Sequence, residues 1–243
     1  MPTSPDPNIL ATLERCEFTL EGEFTQGLNY TFLTKIKSTE DRVIQAVYKP
    51  QQGERPLWDF PDDTLAHREA AAYLVSEALG WQLVPPTAYR DDGPFGPGSL
   101  QLFIEHDPSY HYFNIRNEDF ERLRPVVLFD LLINNADRKG SHLIFAPDNH
   151  LWLIDHGLCF HVDDKLRTVM WDFAGEAIPS ALKSDLTKFQ QALKENTGIA
   201  SGLSAHLSPE EFTKLQARSE WLNQLKTFPF PPPDRRAYPF PPL

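Results

Sequence analysis

Asp137, His142 and Asp155 have the types and spacing that phosphoryl transfer asks for, with Arg138 and Lys139 directly after the first carboxylate. That chemistry needs a metal ion on the phosphates, a carboxylate to align the attacking hydroxyl, and cations where charge develops. The stretch that carries these residues is LFDLLINNADRKGSHLIFAPDNHLWLIDHGLCF, residues 128–160. It reads as helix, polar loop and β-hairpin. Residues 126–134 form the helix, NADRKG the loop, and 142–146 and 151–155 two strands. Pro147-Asp148-Asn149-His150 joins the strands, and its Pro, Asp and Asn are turn formers. A four-residue turn pairs Ala146 with Leu151 and sets His142 opposite Asp155, on one face of the hairpin. A slip of one residue sends one partner to the other face.

Upstream elements must bring further groups to this place. VIQAVYKP (43–50) alternates as a strand, with Val43, Gln45, Val47 and Lys49 on one face. A lysine on an inward face needs an anion; at an exposed strand end before Pro50 it needs none. Asp62, Asp63 and Thr64 offer an N-cap, residues 65–79 an Ala-rich helix, and Gly80 its stop. Glu69 lies on the stripe of Leu65 and Tyr73, where a buried carboxylate calls for a cation such as Lys49; a half-exposed surface glutamate is the other reading. The strands CEFTLEGEF and TFLTKI flank TQGLNY, where Gly27, Thr25 and Asn29 form either a nucleotide-covering loop or an ordinary hairpin turn. Strand 100–105 closes this half, and Glu105, His106 and Asp107 lead onward.

The spacing from Asp137 to a ligand-type residue five positions later, the Asp155-His156-Gly157 tripeptide, and the order Asp137-Arg138 resemble the catalytic core of phosphoinositide 3-/4-kinase-like proteins. That group includes bacterial HipA-type kinases and an uncharacterised bacterial branch. The resemblance implies an α+β, bilobal kinase-like fold, with a β-rich N-lobe holding one helix and a mainly helical C-lobe carrying the catalytic hairpin. It implies a nucleotide-binding lobe (11–106) and a catalytic lobe (107–226); composition alone marks a Pro-rich start as a disordered tail (1–10) and a Pro-rich C-terminal tail (227–243). It also implies ATP with Mg²⁺ or Mn²⁺ as cofactors. Asp137 would align or deprotonate the acceptor, with Arg138 and Lys139 neutralising charge or anchoring the loop. Asp155 and His142 would bind metal, and Lys49, held by Glu69, the phosphates. Gly27, Asn29 and the Glu105 link would line the nucleotide. His142 stands where most such kinases have asparagine. Imidazole suits Mn²⁺ or Zn²⁺ better than Mg²⁺, so the metal preference has shifted, His142 contacts phosphate, or the site is degenerate.

A net charge of −11 argues against a general nucleic-acid binder and against docking on an anionic membrane. No apolar run has the length of a membrane span, and MPTSPDPN shows no secretory signal. Two cysteines far apart make neither a disulfide framework nor a zinc motif, so a cytoplasmic location is expected. Residues 158–179 read as irregular, and by the resemblance they stand where an activation segment or substrate platform would. Helices follow at 180–196, stopped by Gly198, and from a capping box at Ser208–Glu211. The tail TFPFPPPDRRAYPFPPL fits polyproline II, laid along its own domain or offered to a groove. Three functions fit these residues: a phosphotransferase acting on a hydroxyl of a protein or small molecule, a nucleotide-binding scaffold without turnover, and a metal hydrolase using His142, His150, His156 and His161. Nucleotidyl transfer on the same fold is a variant of the first.

Overall fold

The computed structural model describes residues 8–24, 29–37, 42–195 and 198–243. In chain order, α1 (Asn8–Arg15), β1 (Phe18–Glu23), β2 (Phe32–Lys37) and β3 (Val43–Pro50) precede α2 (Leu65–Leu79), β4 (Thr87–Gly93) and β5 (Gly96–Leu102). The short α3 (Asn117–Phe120) and then α4 (Arg124–Ile133) lead to the hairpin β6 (Leu143–Phe145) and β7 (Leu151–Leu153). The helices α5 (Ser180–Lys194), α6 (Gly198–Ser204) and α7 (Pro209–Gln224) follow. The architecture is α+β: among the described residues, a five-stranded antiparallel sheet in the order β1-β2-β3-β5-β4, beside a helical part that carries the hairpin.

Period-two alternation builds the sheet. Phe32, Ile36, Ala46, Tyr48, Ala88 and Leu100 point to one face and pack with Leu13 of α1. Arg90 of β4 donates to the carbonyls of Leu13 and Cys16 at 2.9 Å each, satisfying groups that the end of α1 leaves open. Residues 8–10, expected in a disordered tail, are the first turn of α1. Lys49 does not share the face of this core. It alternates with Ala46 and Tyr48 and looks toward α2 and the cleft, so the inward face expected for it is the cleft face.

α2 is the element on which both halves meet. Eleven of its fifteen residues are buried, because β4 and β5 cover one side and α5 and α6 the other. Ala71, Ala72, Tyr73, Val75 and Leu79 share one core with α4, α5 and α7. Its N-terminus is capped from a distance. Glu54 accepts from Leu65 N and Ala66 N at 3.3 and 3.1 Å, whereas the expected cap Thr64 turns its hydroxyl to Pro61 O. Gly80, at φ 70°, ends the helix in the left-handed conformation that glycine adopts without steric cost. Arg68, 1% exposed, ties α2 to the helical part through Glu211 and the carbonyl of Cys159. Glu211 belongs to the α7 capping box with Ser208. Gly198, expected as a stop, instead opens α6.

His67 of α2 meets His206, after α6, with Nδ1 atoms 3.0 Å apart, and stacks on Tyr89 at 3.9 Å. Burial first, and His67 second, hold the pKa of His206 down to about 4 from its ordinary 6.5. Between those values the unfolded chain binds a proton that the folded chain does not, so stability falls as pH falls through that window. The slope is at most about 1.4 kcal/mol per pH unit for one group. Urea unfolding at pH 7 and pH 5 will show acid destabilisation that His206→Gln reduces. An acid loss of the same size in that variant would remove His206 as its source.

The Pro-rich segment lies along the domain. Phe228 is buried, and its backbone exchanges bonds with Gly175 and Glu176. Ala237 O accepts from Thr168 N and Trp171 Nε1, and Pro242 O accepts from Gly140 N at 2.8 Å.

Candidate functional site

α4 delivers the loop that carries Asp137. Its residues 126–133 are all buried, and Asn134, at φ 55°, ends it in the left-handed region that asparagine tolerates. Asn134 Nδ2 donates to His161 O and Asp163 O, which ties the following segment to the helix end. Asn135 Oδ1 accepts from Asp137 N at 2.9 Å, and Asn135 Nδ2 donates to Asp130 Oδ1 at 3.1 Å. These bonds hold the loop that presents Asp137.

Arg138 does not reach the cleft. It is fully buried, and its Nε and Nη2 bind the Asp130 carboxylate at 3.0–3.1 Å. Nη1 donates to Ile154 O and Nη2 to His156 Nε2, both at 2.9 Å. Of its two expected roles, neutralising charge is excluded by this commitment; anchoring the loop agrees with it. Lys139 lies 3.4 Å from Asp137 and is partly exposed.

The hairpin register differs from the four-residue-turn reading. Phe145 pairs with Leu151, Ile144 with Trp152 and Leu143 with Leu153, so continuation of the ladder sets His142 against Ile154. Asn149 N donates to Ala146 O, and Asn149 has φ 66°. The connection is therefore a three-residue loop ending in a left-handed residue, a common hairpin solution. His142 and Asp155 still meet, Nε2 to Oδ2 at 3.3 Å. The cause is backbone conformation. His142 ends a 3₁₀ turn, and Asp155 has φ 63°, costing about 1–2 kcal/mol for an L-residue. Both lie just outside the ladder, where alternation no longer sets direction.

Lys49 joins the halves of the site. Its Nζ binds Glu69 Oε1 and lies 3.2 Å from Asp155 Oδ1. Burial opposes its charge, but Asp155 and Glu69 outweigh burial and raise its pKa. Lys49 in turn holds the Asp155 pKa below the ordinary carboxylate value. For Glu69 burial pushes upward, and Lys49 reverses the sign. Glu69 Oε2 accepts from His156 N at 3.0 Å, so one buried carboxylate holds both β3 and the turn after β7. Gly157 belongs to this contact: a Cβ there would come within 3.3 Å of Leu65 Cβ. Burial raises the pKa of Asp137 and lowers that of His142 to about 3, so His142 is neutral.

Asp155 keeps half of its side-chain surface exposed beside His142. Among the described residues no three His, Cys, Asp or Glu side chains form a preformed metal cage. One carboxylate and one imidazole fit an ion such as Mn²⁺ that takes its other ligands from phosphates and water. His150 and His161 are elsewhere: His150 Nε2 contacts Gln82 O and His161 Nε2 contacts Asp59 O, each at 2.7 Å. The four-histidine metal site expected for a hydrolase is absent among the described residues.

Gly27 and Thr25 lie outside the described residues. Asn29 is exposed, and its Oδ1 accepts from Arg55 N at 3.0 Å, a brace between the β1–β2 connection and the chain after β3. Glu105 is exposed on the segment after β5. Sequence reasoning missed Asn135, Arg68 and the buried role of His156. The signal for Asn135 was its place two residues before Asp137, where a side-chain carbonyl reaches the backbone two residues on.

Residues 63–203, more than half of the chain, match the family described as phosphatidylinositol 3- and 4-kinase. "Protein Rv2133c" of Mycobacterium tuberculosis is 38% identical over 91% of each chain. Phosphatidylinositol 4-kinase gamma 4 of Oryza sativa subsp. japonica is 31% identical over 39% of this chain but only 20% of its own length. A crystal structure of the Golgi casein kinase with Mn/ADP bound superposes with a TM-score of 0.54 at 16% identity, covering 89% of this chain and 74% of that one. This last likeness is one of fold, and the fold is the bilobal kinase-like one. Asp137, the Lys49–Glu69 pair and Asp155 thus lie in a kinase-like fold, and the chain belongs to the phosphatidylinositol 3- and 4-kinase family.

Proposed function

We propose that the protein is an ATP-dependent phosphotransferase that moves the γ-phosphate to a hydroxyl acceptor with a divalent metal. The observation that carries this reading is Lys49 bound at once to Glu69 of α2 and Asp155 of the hairpin. The lysine charge is held where phosphate oxygens would replace Asp155 as its partner. Asp155 and His142 would hold Mg²⁺ or Mn²⁺, which supplies positive charge to the phosphates. Asp137 aligns the acceptor hydroxyl and takes its proton; burial raises its proton affinity, in the direction a base requires. Lys139, beside Asp137, is the loop cation free of the buried core and faces developing charge.

The nucleotide-binding lobe is assigned to residues 11–106 and the catalytic lobe to 107–226, with a cytoplasmic, bacterial setting. The acceptor is a protein or a small molecule bearing a hydroxyl. A lipid headgroup, the acceptor that the name of the rice relative points to, also bears a hydroxyl, but a net charge of −11 disfavours an anionic bilayer. Thermal shift with Mg²⁺ or Mn²⁺ and with ATP or GTP tests the reading. Stabilisation that needs both metal and ATP supports it; none with any pair refutes it. Product analysis then separates phosphate transfer from AMP transfer.

One observation favours binding without turnover. Lys139 N approaches His142 Nδ1 at 3.4 Å, which leaves the imidazole proton on Nε2, directed at Asp155. The two candidate metal donors are then partners of each other. His142→Asn replaces the imidazole with an oxygen donor, and the ratio of Mn²⁺ to Mg²⁺ affinity in the presence of ADP is expected to fall about tenfold. An unchanged ratio would take His142 out of the metal shell.

A further inference from the structure

His156 occupies the middle of the tripeptide after β7, yet it faces neither cleft nor solvent. Its side chain is 0% exposed and lies against Phe129 with ring centroids 5.8 Å apart. A phenyl ring would satisfy that packing, so the nitrogens need a separate reason. Arg138 Nη2 donates to His156 Nε2 at 2.9 Å. A guanidinium has no acceptor, so Nε2 carries the lone pair and the proton of the neutral ring sits on Nδ1. That Nδ1 has no hydrogen-bond partner, although Glu69 Oε2 is 3.7 Å away. The backbone N–H of His156 already binds the same oxygen at 3.0 Å.

We propose that His156 is a positioning residue: its imidazole, protonated on Nδ1, links the Asp130–Arg138 anchor of the catalytic loop to Glu69, and through Glu69 to Lys49. Two buried charge groups, each on a different element, thereby share one rigid intermediary. Arg138 presents a donor, Glu69 presents an acceptor, and a neutral imidazole is the side chain that accepts on one edge and donates on the other. Its Nδ1–H lies just beyond the hydrogen-bond limit of about 3.2 Å, so a small shift of Glu69 completes the link. The consequence is that Lys49 and Asp137, on separate elements, are held in one frame. Only the object being positioned, a nucleotide, rests on the kinase reading.

Two measurements decide this. Long-range ¹H–¹⁵N spectra of the full chain, with His156 assigned through His156→Gln, are expected to show Nδ1 protonated and Nε2 bare; a proton on Nε2 overturns the link. Binding of Mn–ADP or Mg–ADP, by calorimetry, is expected to weaken about 10- to 100-fold in His156→Phe, the range for losing a partner one shell behind a ligand. His156→Gln, which accepts and donates like the ring, is expected to recover most of that loss and covers the case in which the phenylalanine variant fails to fold. Wild-type affinity in a folded phenylalanine variant, or loss in the glutamine variant equal to that in phenylalanine, overturns the positioning role. If the wild type binds neither complex, the phosphotransferase reading falls, and the spectra still judge the link itself.

Discussion

Asp155→Ala will remove metal-dependent nucleotide binding and lower any γ-phosphate turnover by on the order of 10³-fold, the scale set by deleting a preorganised charge-stabilising group. The carboxylate touches both Lys49 and His142 while keeping half its surface open to the cleft. Without it Lys49 retains Glu69 alone, and His142 loses the acceptor of its Nε2 proton. The backbone complicates the alanine variant, because residue 155 sits at φ 63°. Asparagine tolerates that region better than alanine, so Asp155→Asn separates loss of charge from backbone strain. Both variants should keep the wild-type thermal unfolding profile without ligand to within a few degrees. Both should also lose the stabilisation produced by Mn–ADP. A full ligand-induced shift in Asp155→Asn would show that metal and nucleotide are held elsewhere.

The cleft was legible in the sequence where local rules reach and illegible where distant groups decide. The bounds of α2 were readable from an Ala-rich run ended by Gly80, since helix propensity and a glycine stop act within a few residues. Its cap was not, because Glu54 comes from eleven residues before the helix start. The hairpin was visible as two apolar runs around Pro147, but its register depended on whether His150 belonged to the turn. Backbone φ at Asn149 decided that, and side-chain alternation carries no information about it. His142 and Asp155 came together for a different reason from the one alternation suggested. α1 was hidden because eight residues behind a proline-rich start give a short periodic signal. Arg138 illustrates the general limit. Two cations in a polar loop look alike in sequence, and the buried carboxylate on α4, eight residues back, sends one of them inward. Asp130, one turn before Asn134 in an apolar run, has two readings in sequence, a brace to the loop through its backbone or Arg138 and a solvent-facing helix residue; its burial against Arg138 decides for the first.

That inward pair supports the largest expected stability effect. Asp130 and Arg138 have side chains 1% and 0% exposed, so solvent screening does not weaken them. Such a pair does not make the fold stable by itself, since desolvating two charges offsets most of their attraction. Removing one partner is different. Asp130→Ala leaves a guanidinium, which cannot shed its proton, buried without a counter-charge, at a cost of about 3–5 kcal/mol. Against a typical domain stability of about 5–15 kcal/mol, that is a large share. Asp130→Leu with Arg138→Met removes both charges at similar volume and is expected to recover most of the loss in urea unfolding at pH 7. Nucleotide-dependent stabilisation should stay impaired in the double variant, because Arg138 also binds Ile154 O and His156 and so sets the Asp137 loop against the hairpin. Stability and ligand response would then part company, which a pair serving stability alone does not produce. An Asp130→Ala cost under about 1 kcal/mol, the range of exposed pairs, would mean that the buried contact is not maintained in solution. Full recovery of nucleotide response in the double variant would mean that the loop holds its position without Arg138.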